Sequence, residues 1–144
     1  MNNRTLTIPD TIKQAMIEHA QSLAPIESCG YLAGKEDVVT DYYPMTNVDN
    51  SPEHFSFDPK EQFQAVKKAR QEGLSLISVV HSHPETPARL SQEDILLFND
   101  PTPVYIIVSL KDETPDLKGF TVNKPDEHTI EIKKVNLTYK KEGE

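Results

Sequence analysis

The sequence lacks the features of several large protein classes. It has 144 residues, a single cysteine, Cys29, and no tryptophan. One cysteine cannot form an internal disulfide bond, which excludes a secreted disulfide scaffold and favours the reducing cytoplasm. The first ten residues contain no apolar stretch typical of a signal peptide. The apolar run 104–108 is too short to span a bilayer. We therefore expect a cytoplasmic protein that does not cross a membrane.

Positive charge is also scarce. The chain has 15 Lys and Arg against 23 Asp and Glu, a net charge of −8 at pH 7. An acidic chain repels phosphate backbones and anionic lipid headgroups, so we expect neither a nucleic-acid partner nor a membrane partner. Charged residues make up an ordinary 26% of the chain, which favours a folded domain over a disordered one.

The order of apolar patterns predicts a single α/β domain. The nearly continuous apolar runs 76–80 and 104–110 are typical of strands that are buried on both faces. Helical patterns and alternating patterns occur between them without strict alternation. We therefore expect a mixed central β-sheet with flanking helices. The domain is predicted over 1–139, and 140–144 is expected to form a frayed tail.

Two local patterns make finer predictions. Asp58 and Glu61 have the spacing of a capping box at the start of the second helix. Phe63, Val66 and Ala69 are expected to face the core from that helix. In the last strand the apolar alternation changes phase at 133–134, which predicts a β-bulge there.

The segment from His81 to His83 is the most specific feature for chemistry. Residues two apart on a strand project to the same face, so both imidazoles can bind one ion. Asp94 lies eleven residues after His83, at the start of a helix, and adds a carboxylate from a separate element. Three protein ligands leave one position of a tetrahedral zinc ion open, which is the arrangement of a catalytic site. The same ligand types also suit Fe(II).

A hydrolytic metal site also needs a general base that lies close to the metal without binding it. Glu27 is the best candidate, since it lies where the first helix gives way to a strand. Cys29 could be a nucleophile or a fourth ligand, but a lone cysteine at the start of a strand is more typical of a small buried residue. Ser91 has the position of a helix N-cap.

Two segments together resemble a known family. His81–Pro84, followed after six residues by Ser91–Asp94, resembles the HxHP-x6-SxxD motif of the JAMM/MPN metallopeptidases, whose domain is also called JAB. Glu27–Gly30 resembles the upstream E-x-C-G segment of that family. The resemblance extends over nearly the whole chain and is to the short bacterial branch.

The resemblance implies a JAB/MPN-like fold and a zinc metallopeptidase that hydrolyses a peptide or isopeptide-like amide. It implies that His81, His83 and Asp94 bind one zinc ion. Glu27 would be the general base, and Ser91 would hold the attacking water or the developing oxyanion. The bacterial branch implies as substrate the C-terminal Gly-Gly tail of a ubiquitin-like sulfur-carrier protein. Such a tail could add to a sheet edge as an extra strand.

Two other functions remain open at this point. A zinc amidohydrolase acting on small acyl-amino acids or cell-wall peptides would need a pocket that is closed at both ends. A non-catalytic MPN-type interaction scaffold is the other alternative. Such scaffolds usually lack the metal ligands, whereas this chain has all three. Ser91 could also serve only as a helix cap.

Overall fold

The computed structural model describes residues 4–141, and within that range the chain forms three helices and seven strands. The helices are α1 (Asp10–Leu23), α2 (Pro59–Gln71) and α3 (Gln92–Leu97). The strands are β1 (Thr5–Pro9), β2 (Cys29–Lys35), β3 (Val38–Met45), β4 (Ser75–His83), β5 (Val104–Ser109), β6 (Asp116–Asp126) and β7 (Thr129–Lys140). None of these helices is long and apolar enough to cross a lipid bilayer.

The seven strands form one mixed sheet that closes on itself. The strand order is β1-β3-β2-β4-β5-β6-β7, and β1 pairs with both β3 and β7. Both pairings of β1 are parallel, as is that of β4 with β5, and the other pairings are antiparallel. The predicted α/β domain with a mixed sheet and flanking helices is confirmed. The contact that closes the sheet is short, since a single register pair, Thr7 with Val38, joins β1 to β3.

α1 covers one face of the sheet and completes the main core. Its apolar stripe, which includes Ile12, Met16 and Ala20, packs against Leu6 and Ile8 of β1 and against the central strands. This stripe has the spacing of one face of a helix, so the amphipathic pattern and the packing agree. The main core therefore lies between α1 and the inner face of the curved sheet.

β5 is buried on both faces, as its apolar run predicted. Val104, Ile106 and Val108 face the α1 core, while Tyr105 and Ile107 face two smaller clusters on the other side. Burial of a large apolar side chain stabilises a fold by about 1.5–3 kcal/mol. β5 pairs with β4, the strand that carries the two motif histidines. Because β5 is packed on both faces, it holds β4 rigidly.

The N-terminus of α2 is capped differently from the prediction. Asp58 does cap the helix, because its carboxylate accepts the Lys60 N–H at 2.9 Å. Glu61 does not complete the box. Its carboxylate instead accepts the N–H and the hydroxyl of Thr46, at 2.6 and 2.8 Å. Glu61 therefore holds the end of β3 against α2.

The predicted core face of α2 is wrong for Phe63 and Val66 and confirmed for Ala69. Phe63 is 70% exposed and Val66 is 38% exposed, whereas Ala65 and Ala69 are buried against the outer face of β2 and β3. Two alanines four residues apart let the helix axis approach the sheet closely. The buried face of α2 therefore includes the predicted Ala69 but turns away from the two larger apolar side chains.

The predicted β-bulge at 133–134 is also wrong. The pairing of β7 with β6 runs without interruption from Val135 to Glu131, and the irregularity lies nearer the hairpin turn. Ile130 and Ile132 are 52% and 43% exposed. They lie on the outer surface, so the change of apolar phase reflects exposed isoleucines rather than a change in the strand.

β7 continues through Lys140, which pairs with Pro9 of β1. The predicted tail, 140–144, thus overlaps the last residue of the sheet. Residues 142–144 lie outside the described part of the chain.

Candidate active site

β4 carries both motif histidines at its carboxyl end, where it is flanked by β2 and β5. His81 and His83 lie two residues apart and share one face of the strand. His81 is fully buried and His83 nearly so. The face they share is the one opposite α1, next to the clusters that contain Tyr105 and Ile107.

α3 brings Asp94 to the histidines. The Ser91 hydroxyl accepts the Asp94 N–H, and the Asp94 carboxylate accepts the Ser91 N–H, each at 3.0 Å. These reciprocal bonds form a capping box at the start of the helix. The capping box fixes the rotamer of Asp94, so the buried carboxylate is held in one orientation. Ser91 thus forms the helix cap that its position suggested.

The three side chains converge on one point. The Nε2 atoms of His81 and His83 are 3.1 Å apart. Asp94 Oδ1 lies 3.2 Å from His81 Nε2, and Asp94 Oδ2 lies 3.0 Å from His83 Nε2. A tetrahedral zinc ion with bonds of about 2.0–2.1 Å has ligand atoms about 3.3 Å apart. The structure therefore brings together all three sequence-predicted ligands as a group that could hold a metal ion.

The hydrogen bond of His83 tests whether a cation suits this group. Its Nδ1 donates to the Pro87 carbonyl oxygen at 2.9 Å, so a neutral ring has its lone pair on Nε2. That lone pair faces a carboxylate oxygen of Asp94 and the Nε2 of His81. Such atoms repel unless a proton or a cation lies between them. A metal ion satisfies all three at once, so the donor set fits one.

The charge state of the ligands also suits a cation. Burial raises the pKa of Asp94, but the adjacent His81 and His83 side chains and the Ser91 N–H outweigh it and hold that pKa well below its usual range. Asp94 is therefore a carboxylate at neutral pH. Burial lowers the pKa of His81, which favours the neutral imidazole. These are the protonation states that bind a metal.

Two aromatic rings that the sequence reasoning assigned no role enclose His81. Phe55 stacks on its imidazole with ring centres 4.9 Å apart, and Phe98 meets it edge-on at 5.5 Å. Phe98 is in turn stacked on Tyr105 of β5. These rings fix the imidazole plane and exclude water from one side of it. Phe55 lies in an otherwise polar loop, where no periodic pattern predicts which side chains it contacts.

A groove of about 610 Å³ opens beside these rings. Phe55 and Phe98, whose rings contact His81, are among its lining residues. The remaining lining combines apolar and aromatic side chains with a few polar ones, including Tyr31, Phe57, Gln62, Leu76, Ser78, Val79, Leu97, Asn99 and Tyr105. His81, His83, Asp94 and Glu27 are not among its lining residues, so the groove lies next to the candidate site rather than at it.

Glu27 lies immediately before β2, at the strand end that faces the histidines. Cys29 pairs with His81, and the antiparallel register brings the preceding residues towards the end of β4. Glu27 is 3% exposed, and its Oε1 has no hydrogen-bond partner within residues 4–141. A buried carboxyl oxygen without a hydrogen-bond partner destabilises the fold. Its presence therefore indicates that the oxygen is available to bind a group from outside the protein chain.

Burial raises the pKa of Glu27 to about 9, helped by three nearby carboxylates, Asp94, Glu93 and Glu53. The contribution of Asp94 places the Glu27 carboxyl within electrostatic reach of the metal ligands. A divalent cation bound by those ligands would oppose these negative charges and favour the ionised form. The structure therefore brings Glu27 to the end of the sheet where the three candidate ligands lie.

Cys29 belongs to the core rather than to the site chemistry. It packs beneath α2 with Tyr31 and Met45, and burial raises the pKa of its thiol to about 12. The reactive thiolate is therefore absent at neutral pH. We expect Cys29→Ala to retain its metal and its kcat, and iodoacetamide to leave the native protein active. Inactivation that tracks alkylation of Cys29 would contradict this assignment.

The fold and the site together define a class: a single α/β domain in which a strand and a helix bring together a buried His-His-Asp group that could hold a metal ion. The comparisons with known proteins specify it further. A family model described as prokaryotic homologues of the JAB domain matches residues 9–122. The chain belongs to this prokaryotic JAB family, which confirms the resemblance inferred from the motifs.

Several relatives match most of the chain. The CysO-cysteine peptidase of Mycobacterium tuberculosis is 34% identical over 109 residues, which cover 74% of this chain and 75% of that protein. The desampylase of Pyrococcus furiosus is also 34% identical over 109 residues, covering 76% and 77%. A solution structure of a Desulfitobacterium hafniense protein is 39% identical, with a TM-score of 0.85 and coverage of 95% and 94%.

Proposed function

We propose that this protein is a zinc-dependent metallopeptidase that cleaves the amide bond following the C-terminal Gly-Gly of a ubiquitin-like sulfur-carrier protein in the cytoplasm. The observation that carries the proposal is the buried set of His81, His83 and Asp94 with the unpartnered carboxyl of Glu27 beside it. Relatives named CysO-cysteine peptidase and desampylase support the reaction type and the substrate class.

Zinc is the metal we propose for the His-His-Asp set. Two imidazoles and one carboxylate, without a thiolate, form a three-ligand set of the kind found in catalytic zinc sites. His83 is oriented by the Pro87 carbonyl, and Asp94 by the Ser91 N–H. When bound, zinc supplies Lewis-acid polarisation of the scissile carbonyl and lowers the pKa of water.

The remaining steps are assigned to two side chains. Glu27 takes a proton from the attacking water as the new C–O bond forms, and returns it to the amine as the C–N bond breaks. Ser91 uses its hydroxyl oxygen to accept the Asp94 N–H, so its hydroxyl hydrogen remains free to donate to the developing oxyanion. Capping and catalysis are thus compatible at Ser91.

The open groove beside His81 favours a chain-like substrate. An extended tail can lie along the groove lined by Phe55 and Phe98, or it can pair with β3, which is joined to β1 by a single register pair. Glycine at the last two positions of the tail lets its backbone approach the buried metal ligands closely. A non-catalytic scaffold would not require the side chains of His81, His83 and Asp94 to converge on one point.

A carrier ending in Gly-Gly and extended by one amino acid tests this proposal. We expect the zinc-loaded protein to remove the added residue directly after the second glycine, as measured by mass spectrometry. Replacing both glycines by valine should abolish cleavage, because β-branched residues block the approach to the metal. Deubiquitinating members of the family grip ubiquitin with insertions in this domain. Linked ubiquitin chains should be cleaved poorly, since the 53 residues between Glu27 and His81 leave little room for such an insertion.

Two outcomes would contradict this substrate assignment. Equal cleavage of the Val-Val carrier would reject selection by a narrow approach to the metal. Rapid cleavage of ubiquitin chains would reject the argument from missing insertions. Incubation with the Glu27→Gln protein provides the control for contaminating peptidases.

A further inference from the structure

The segment that carries Glu27 is held in place by side chains as well as by backbone. Residues Glu27 and Ser28 lie outside β2, yet all four of their backbone groups are hydrogen-bonded. The Glu27 N–H donates to the Ser51 carbonyl at 2.9 Å, and its carbonyl accepts from Asn47 Nδ2 at 3.1 Å. The Ser28 N–H donates to Ser82 Oγ at 2.7 Å, and its carbonyl accepts the Ser82 N–H at 3.1 Å.

These bonds come from two different directions. Ser82 lies between the two metal-binding histidines of β4, so its bonds fix the segment against the strand that carries the ligands. Asn47 lies in the loop between β3 and α2, so its bond fixes Glu27 against that loop. The backbone of Glu27 is therefore held between the strand and the loop.

Asn47 uses its whole side-chain amide in this region. Its Nδ2 also donates to the His54 carbonyl at 3.0 Å. Its Oδ1 accepts the N–H of Asp49 at 3.0 Å and the N–H of Ser56 at 3.2 Å. The side chain is buried and makes every hydrogen bond that an amide can make with two donors and two acceptor sites.

The same amide also orders a wall of the metal site. Phe55 lies between the two residues whose backbone groups Asn47 binds, and its ring stacks on His81. Asn47 further forms an isolated backbone bridge with Phe57. One buried side chain thus connects the backbone of Glu27 with the ring that encloses a metal ligand.

We propose that Asn47 is a positioning residue for the reaction, acting through Glu27. The proposal rests on the proposed function, in which Glu27 is the general base. The direction of the Glu27 carboxyl follows from its backbone, and the Asn47 amide is the only side-chain donor to that backbone within residues 4–141. A displacement of about 1 Å at a reacting group can lower a rate by about 10²-fold.

Asn47→Asp tests the proposal with little change of shape. The carboxylate has no N–H, so it places a negative oxygen against the Glu27 and His54 carbonyls. We expect kcat to fall about 10- to 100-fold, with KM and zinc content little changed. Asn136→Asp makes the same chemical change at an exposed position of β7 and should leave kcat unchanged.

A double-mutant cycle with Glu27→Gln separates positioning from a general structural role. If Asn47 acts through Glu27, then adding Asn47→Asp to Glu27→Gln should lower kcat by less than about twofold. Single-turnover assays with excess protein measure these slow rates. Zinc content and thermal unfolding are measured for each variant, and Asn47→Ser replaces Asn47→Asp in the cycle if the latter does not fold.

The cycle distinguishes the two ways in which the proposal can fail. If Asn47→Asp lowers kcat by the same factor with Glu27 and with Gln at position 27, Asn47 is structural and the positioning role is overturned while the base remains. If Glu27→Gln alone is fully active, the base assignment in the proposed function is overturned, and the positioning role with it.

Discussion

Replacing both His81 and His83 by alanine is expected to abolish metal binding and hydrolysis. Each substitution removes one of three protein ligands, and Asp94 alone cannot hold the ion. Elemental analysis of protein purified without a metal-chelating tag should find one zinc per chain in the natural protein and none in the double variant. Activity on the Gly-Gly-extended carrier should fall to the level without enzyme.

Two further variants sharpen this test. Asp94→Asn keeps an oxygen that can accept the Ser91 N–H but removes the charge, so it should lose metal while retaining the helix cap. His128→Ala removes an exposed imidazole and should retain both metal and activity. Zinc bound undiminished by the His81→Ala/His83→Ala protein would reject the site, because no other His, Cys, Asp and Glu group within residues 4–141 has the geometry to replace it.

The metal ligands were predictable because each depends on local geometry. The alternation of a strand puts His81 and His83 on one face, and the capping position of Asp94 directs its carboxylate across the first turn of α3. Both rules operate within a few residues of sequence. What the sequence could not supply was the distance between the two elements, which the packing of α3 beside β5 determines.

The surroundings of the ligands were not predictable in the same way. Phe55 reaches His81, and Asn47 reaches Glu27, only because the loop between β3 and α2 folds back over the end of β4. A polar loop has no periodicity from which such a path can be inferred. Sequence reasoning could therefore name Glu27 as a base but not the side chain that holds its backbone.

The errors in the fold have a related cause. Phe63 and Val66 were expected in the core because they are large and apolar, but Ala65 and Ala69 allow a closer approach of α2 to the sheet. Closure of the sheet brings β1 and β7 together from opposite ends of the described chain. No short-range sequence pattern indicates a contact between residues that are so far apart in the sequence.

Glu27→Gln is expected to keep the metal and the fold but to lose most of its hydrolytic activity. Gln has the shape of a protonated Glu but cannot take a proton from the attacking water. General acid–base groups contribute about 10²–10⁴-fold to a rate, so kcat should fall by a factor in that range. The measurement is kcat on the Gly-Gly-extended carrier, with zinc content determined on the same preparation.

The matched control is Glu85→Gln, which removes an exposed carboxylate in the loop after the histidines and should retain activity. Full activity of Glu27→Gln with zinc present would reject Glu27 as the base. Loss of zinc from Glu27→Gln would instead make Glu27 a ligand, and the role of Asp94 would then need to be reassigned.

Stability in the absence of metal provides an independent check on the state of Glu27. Burial raises its pKa from 4.5 to about 9, so between these values the folded chain retains a proton that the unfolded chain has released. Glu27 therefore makes the metal-free protein less stable as pH rises from 4.5 towards 9. Gln cannot ionise and avoids this loss. With a chelator present, thermal unfolding should give similar midpoints for both proteins near pH 5 and a higher midpoint for Glu27→Gln at pH 8. An identical decline in both proteins would mean that Glu27 is not the buried neutral carboxyl that the structure indicates.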